Sequence, residues 1–482
     1  MYIGVDLGST NLKAALYDEE LRCIAQKSAP VEYIRRGEFI EFDARAYVDS
    51  LVMILGQLTA EYPGQIQHVA FTGQAESLVC LDAEGTPVCH AISWMDERSV
   101  EECAFLETQF SADVCHRITG QQAILPTWPA TKILWIRNHR PVIFEKVATY
   151  MLLKDYVVYC LTGKKTADMS IATFSFYFDI YRKCYWTQML DAIGICEQQL
   201  PPLIEPGTIV GTVTTEMAAL TGLSPETRVN TGTLDHFAGM IGTGNTTPGG
   251  ITLSTGTTMV LATMSEGKPD PDWDMALHYG FLPDTYVMLP VMESGGVCLD
   301  WFRRTCMGNI DYDTLNKEVS ESPETGLLFL PYLVGTNAPE FDREATGVFF
   351  GLRQEHTAAQ MAKAVMEGVC FVLRKNCEDI LSKGTAISGI VATGGGAKSP
   401  VWCQMQADIT GLTVDVPAVT EAACLGVVML AAWKAGRYAS LEQAAKDVKM
   451  VRTYTPDSRS DVERKYQKFC KLYQAALTIA ND

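Results

Sequence analysis

The sequence predicts a duplicated α/β protein whose two halves flank a cleft. Three observations carry that expectation. Both halves open with strand, polar turn, strand: residues 2–5, Gly8-Ser9-Thr10-Asn11 and 12–17 in the first, residues 250–253, Ser254-Thr255-Gly256-Thr257-Thr258 and 259–263 in the second. Each half then continues with an amphipathic helix and another strand. Between them, residues 243–250 gather Gly, Asn, Thr and Pro, the composition of a break. The 482 residues exceed one compact core, since domains run to roughly 100–200 residues. The expected division is 1–245 and 246–482.

The elements follow in order. Asp18-Glu19-Glu20 turns the chain into a third strand over 22–26. Residues 44–59 carry apolar side chains at helical spacing behind Asp43, a plausible N-cap. A strand over 68–71 runs into Thr72-Gly73-Gln74. In the second half, residues 357–383 read as a long helix, with Thr357 and Gln360 fitting a capping box and Gly384 at the stop. Met361, Val365, Val369 and Leu373 form its apolar stripe. A strand over 389–392 ends in Thr393-Gly394-Gly395-Gly396, and a helix is expected over 399–408.

Composition excludes several classes. Hydrophobic residues at 47% and charged residues at 20% are ordinary for a globular chain. A net charge of −18 is a poor footing for nucleic acid, which needs a basic surface. The longest apolar run, 425–433, is too short for a bilayer, which takes about 20 residues. Asp6 interrupts any N-terminal signal segment, so a cytoplasmic location is expected. The fifteen cysteines are scattered without Cys-x-x-Cys pairs and read as reduced small hydrophobes.

The two polar turns suit phosphate. Tight turns leave backbone N–H groups free to face an anion, and small side chains allow close approach. Thr10, Thr257 and Thr258 add hydroxyl donors, and Lys13 adds one positive charge. Neither turn is a Walker A loop. Each alone reads as a plain hairpin; their matching places favour a nucleotide clamp. Asp6 ends the first strand, where a carboxylate can hold Mg²⁺ through water or cap the turn. Asp235, in Gly232-Thr233-Leu234-Asp235-His236, stands at a helix start, as an N-cap or as a general base; His236 is the weaker base candidate. Gly394-Gly395-Gly396-Ala397 makes a strand–glycine–helix turn on which a flat ring or a phosphate can lie. Gln74-Ala75-Glu76 and the stretch Trp94-Met95-Asp96-Glu97-Arg98 combine aromatic faces and carboxylates, which suit polyhydroxylated ligands. Trp94 and Trp128 read equally as core.

These residues resemble the FGGY family of carbohydrate kinases over nearly the whole chain. Asp6-Leu7-Gly8-Ser9-Thr10 and Leu253-Ser254-Thr255-Gly256-Thr257-Thr258 look like its two phosphate motifs, and Gly394-Gly395-Gly396-Ala397-Lys398-Ser399 like its adenosine motif. Its later signature reads here Gly347-Val348-Phe349-Phe350-Gly351-Leu352, then Gln360-Met361, then Ala364-Val365-Met366-Glu367. The earlier signature runs from Pro129 to His139 with Lys132 and Trp135; Thr127 departs from it. The resemblance implies an actin-like, ribonuclease H-like ATPase fold of two domains around a central cleft, with ATP and Mg²⁺ as cofactors. It implies phosphoryl transfer to a sugar or polyol hydroxyl, a cytoplasmic enzyme and possible homodimers. Asp235 falls at the catalytic base and Asp6 at the metal-organising carboxylate. Ser9, Thr10, Asn11, Lys13, Gly256, Thr257, Thr258, Gly296, Gly395, Gly396, Ala397 and Ser399 fall to the nucleotide. Gln74, Ala75, Glu76, Trp94, Asp96, Trp128, Asp235 and His236 fall to the sugar. The chain is most similar to xylulokinases, but it carries Ala75-Glu76 where they carry Met-His, and Glu76 is shared with glycerol kinases. A ketopentose such as D-xylulose is therefore the expected acceptor, with glycerol, a tetritol or a sugar acid as alternatives. An actin-like ATPase or a sugar-binding regulator is the rival of another class.

Overall fold

A computed structural model describes residues 1–457 and 461–480. The chain forms two compact units. The first comprises Met1–Thr246, Gly267–Val287 and Val419–Asp447; the second comprises Thr247–Glu266, Met288–Ala418 and the described part of Val448–Asp482.

The first unit is built on a sheet of β1 (Tyr2–Leu7), β2 (Asn11–Tyr17), β3 (Cys23–Pro30), β4 (His68–Gly73), β5 (Ile209–Thr212) and β6 (Arg228–Asn230), in spatial order β5-β6-β4-β1-β2-β3. β1 pairs antiparallel with β2 and parallel with β4; β6 is parallel to β4 and antiparallel to β5. Both faces of β1 are covered, which is why it reads as a nearly unbroken apolar run. On one face Ile3, Val5 and Leu7 pack into the core that also holds Leu51, Ile54 and Leu58 of the helix Ala44–Glu61. On the other, the helix Ala422–Lys434 rests on bare backbone, since a Cβ on Gly4 would lie 2.2 Å from the Cys424 carbonyl oxygen. Asp43 caps the helix Ala44–Glu61, accepting from the Arg45 and Ala46 amides. β3 runs four residues beyond the expected 22–26 because hydrogen bonding to β2, from Asn11↔Pro30 to Tyr17↔Cys23, extends it past its own apolar residues. A smaller sheet in this unit (Ile34–Arg36, Phe39–Phe42, Ala91–Ile92, Leu78–Leu81, Thr149–Leu152) flanks Glu76 and Trp94.

The second unit contains β7 (Gly250–Thr255), β8 (Met259–Met264), β9 (Gly389–Gly394), β10 (Val414–Pro417) and β11 (Met450–Tyr454), ordered β8-β7-β9-β10-β11. The pairings run antiparallel, parallel, parallel, antiparallel. That is the same succession as β2-β1-β4-β6-β5, so the duplication read from the two hairpins extends to five strands of each sheet. The long helix is Ala358–Ser382, with the Thr357–Gln360 capping box formed. Val365, Val369 and Leu373 are buried along it. Ser399 caps the helix Pro400–Thr410, accepting from the Trp402 amide. Among the described residues no helix is long and apolar enough to cross a membrane.

Candidate active site

Asp6 stands one residue before the end of β1, opposite Lys13 across the hairpin and Thr72 across β4. The strand aims it towards the side covered by the helix Ala422–Lys434. Burial, reinforced by the charge of Asp235, lifts its carboxyl from 3.8 to about 7, against the pull of Lys13. Lys13 itself is engaged: its ammonium donates to Glu421 at 2.8 Å. Burial would lower Lys13, but the Glu421 hydrogen bond and charge outweigh it and hold it protonated. The expected phosphate cation is therefore half of an ion pair. Among the described residues no side-chain cation bonds Asp6, so a partly buried carboxyl of elevated pKa stands free, a donor set that fits a hydrated divalent ion.

The turn after β1 is fixed from below. The Gly8 carbonyl accepts from the Tyr47 hydroxyl at 3.1 Å and from Gln74 Nε2 at 3.3 Å. Gln74, buried and also bonded to Ser77, thus holds the hairpin; sequence reading gave it to the sugar and missed Tyr47. Thr10 and Asn11 are exposed and Ser9 half-buried, with the turn's outer side open.

Asp235 is the first residue of the helix Asp235–Gly242, whose N-cap position is Leu234. Its Oδ1 accepts from the amide of His236 at 2.6 Å. The helix start places the carboxylate at the positive end of the backbone dipole. The preceding loop needs glycine: Gly232 has φ +68°, and a Cβ there would lie 1.7 Å from the Phe71 carbonyl oxygen of β4. The helix crosses Ala422–Lys434 at two further glycines, Gly242 and Gly426, each within 1.9 Å of the other helix's carbonyl oxygen if given a Cβ. One helix thereby contacts both the strand of Asp6 and the helix of Asp235.

Glu76 follows β4 with a left-handed backbone, φ +64°. It is half-buried. Burial raises its carboxyl, Lys132 and a Thr127 hydrogen bond lower it, and Asp235 raises it again. Lys132 is fully buried and pushed down by that burial. Its ammonium donates to the carbonyls of Ser93 at 2.8 Å and Glu76 at 3.3 Å. Asp235 is thus an electrostatic neighbour of both Asp6 and Glu76, with Ala75 and His236 beside them in sequence and partly exposed.

Three expected sugar contacts separate. Trp94 is 39% exposed. Trp128 lies in the core, stacked on Phe176 with its indole N–H bonded to the Ala123 carbonyl. Asp96 is wholly buried, and its two oxygens already accept from Ile40 N, Arg98 N, Arg98 Nε and Arg98 Nη2. A carboxylate offers about four acceptor positions, so Asp96 has none left for a ligand hydroxyl; it clamps the loop that presents Trp94.

In the second unit, Gly256, Thr257 and Thr258 are exposed at the tip of the β7–β8 hairpin. The tip is tied to the start of the helix Gly296–Cys306: the Gly296 amide donates to the Gly256 carbonyl at 2.8 Å, and the Val297 amide to Thr257 at 3.0 Å. Gly296 supports the hairpin through this bond. The glycine turn lies beside the same hairpin, since a Cβ on Gly394 or Gly396 would meet Thr255 at 2.7 Å. Gly395 stays exposed and Ala397 half-buried, while Ser399 is buried, its hydroxyl donating to Asn316 at 2.6 Å.

Residues 1–242 match the N-terminal domain, and residues 251–435 the C-terminal domain, of the FGGY family of carbohydrate kinases. The chain is 30% identical over 489 residues to the xylulose kinase of Bacillus subtilis, covering 100% of this chain and 97% of the relative. It is 29% identical over 488 residues to that of Escherichia coli, covering 99% and 100%. The crystal structure of xylulose kinase from Rhodospirillum rubrum superposes with a TM-score of 0.94 at 25% identity, covering 100% of this chain and 99% of that one. These agreements, with two like-built sheets each ending in a polar hairpin, give the actin-like ATPase fold. The chain belongs to the FGGY family of carbohydrate kinases and is a sugar kinase that uses ATP with a divalent metal.

Proposed function

We propose that the enzyme phosphorylates a ketopentose such as D-xylulose, with ATP as its Mg²⁺ complex and Asp235 as general base. The observation that carries this reading is that Asp6, Glu76 and Asp235 stand at or after the C-terminal ends of the neighbouring parallel strands β1, β4 and β6. The xylulose kinases among its relatives support the choice of sugar. Asp6 would hold the metal through water, and Mg²⁺ there supplies charge neutralisation for phosphate oxygens. Asp235 accepts the acceptor hydroxyl's proton as its oxygen attacks phosphorus. Glu76 orients the sugar through its hydroxyls, with Trp94 offering an apolar face. In the first unit the hairpin amides after β1 suit phosphate oxygens; in the second the amides after β7 suit them likewise, and the glycine turn suits adenosine. Phosphoryl transfer asks a protein chiefly for such positioning and electrostatic stabilisation. The test is a coupled ADP-release screen over ketopentoses, aldonates, glycerol and tetritols. Strong stimulation by a ketopentose supports the reading; stimulation by glycerol, a tetritol or an aldonate alone replaces it.

A further inference from the structure

A buried polar chain in the first unit ends on the residues that precede Asp235. Lys154 is fully buried, and its ammonium donates to the Thr231 carbonyl at 2.8 Å and to Thr231 Oγ1 at 3.1 Å. It pairs with Asp168 Oδ2 at 2.9 Å. Asp168 Oδ1 accepts from both the amide and the hydroxyl of Ser170, each at 2.9 Å. Ser170 Oγ in turn accepts from Thr233 Oγ1 at 2.9 Å and from the Leu234 amide at 3.1 Å. Lys154, Asp168, Ser170, Thr231 and Thr233 are all fully buried. Gly232, between these anchors, donates to Asn230 Oδ1 at 2.8 Å and accepts from the Gly207 amide at 2.7 Å.

Every residue from Thr231 to Leu234 is therefore fastened, and the next residue is Asp235, where the helix begins. Burying ions is costly unless they are paired and fully bonded, and apolar packing would fill this space without that cost. What the chain adds is a fixed path for the loop. We propose that Lys154, Asp168 and Ser170 form a positioning relay that sets the Asp235 carboxylate for proton abstraction. The inference rests on the reading of Asp235 as general base. Ser170 is the junction, because one oxygen joins the Lys154–Asp168 ion pair to two successive residues of the loop.

The test is a double-mutant cycle on the full chain. Ser170→Ala and the milder Thr233→Val are made in the natural protein and in Asp235→Asn, and transfer of radiolabelled phosphate to sugar is followed beside thermal unfolding. In the natural background each variant is expected to lower kcat about 10–100-fold, since about 1 Å of misplacement costs that order, with the sugar KM within about threefold. In Asp235→Asn each is expected to cost less than about twofold, because residues acting as a unit are not additive. Equal losses in both backgrounds, or natural kcat in a folded Thr233→Val, would overturn the relay while leaving the base in place. Natural turnover in Asp235→Asn itself would instead remove the base assignment and the relay's purpose with it.

Discussion

Gly232→Ala tests whether the Asp235 loop is held by geometry that the backbone alone dictates. The native residue has φ +68°. An alanine held there costs about 1–2 kcal/mol, the usual penalty for the left-handed region. The added Cβ would also lie 1.7 Å from the Phe71 carbonyl oxygen, short by about 1.3 Å of the 3.0 Å that such contacts respect. Neither partner is a flexible side-chain end: both are backbone, one in β4, the other tied to Asn230 and Gly207. The loop must therefore lift, carrying Asp235 three residues on. The torsional cost alone lowers the unfolding midpoint by about 2–8 °C. A shift of about 1 Å at the base lowers kcat on the order of 10²-fold. Thermal denaturation and a coupled ADP-release assay read the two effects on one preparation. A Gly232→Ala protein with kcat within twofold of natural would show that the loop's path does not set the chemistry.

Other outcomes follow from the same site. Asp235→Asn should lower kcat by about 10²–10⁴-fold, the span of general-base catalysis, while nucleotide binding measured by fluorescence titration survives; unchanged kcat would free Asp235 of its role. Glu76→Ala should raise the sugar KM far more than the ATP KM, and an unmoved sugar KM would place Glu76 outside the pocket. Asp6 gives a pH signature. Its folded pKa is raised from 3.8 to about 7, so the folded protein keeps a proton that the unfolded chain has already released. Its contribution is complete below about pH 4 and lost as pH rises through about 7. Metal-free Asp6→Asn should therefore lose less stability than the natural chain between pH 5 and pH 8 in a melting series; parallel curves would contradict the assignment. Removing divalent metal with EDTA should abolish sugar phosphorylation and restore it on adding Mg²⁺, which full turnover in EDTA would refute.

The residues that carry chemistry were legible where local structure makes them so. Strand–turn–strand patterns marked both hairpins, and the end of a strand or start of a helix marked Asp6 and Asp235. Helix caps at Asp43 and Thr357 follow from side chains a few positions from the amides they bond. What stayed hidden depends on partners far along the chain. Lys13 reads as a free cation until Glu421, 408 positions away, takes its charge. Asp96 looks like a sugar ligand until Arg98 and the Ile40 amide fill its oxygens. Trp128 reads equally as platform or core, and it is the Phe174 and Phe176 rings, distant in sequence, that show it packed. Ser170 gave no signal at all. Lys154-Asp155, a charged pair inside the apolar run around 151–161, was the one trace of the relay.

The helix Ala422–Lys434 lies late in the sequence yet fits against Gly4, Ala238 and Gly242 of the opening segment. During synthesis, the strand bearing Asp6 must wait for nearly the whole polypeptide to leave the ribosome before that groove is filled. A product truncated after Thr246 would display bare main chain and small apolar side chains such as Ala70 and Ala238 to water. Such fragments should be sticky and prone to capture by chaperones, so proteolytic dissection or split-protein engineering of this kinase must keep the late helix with the early half.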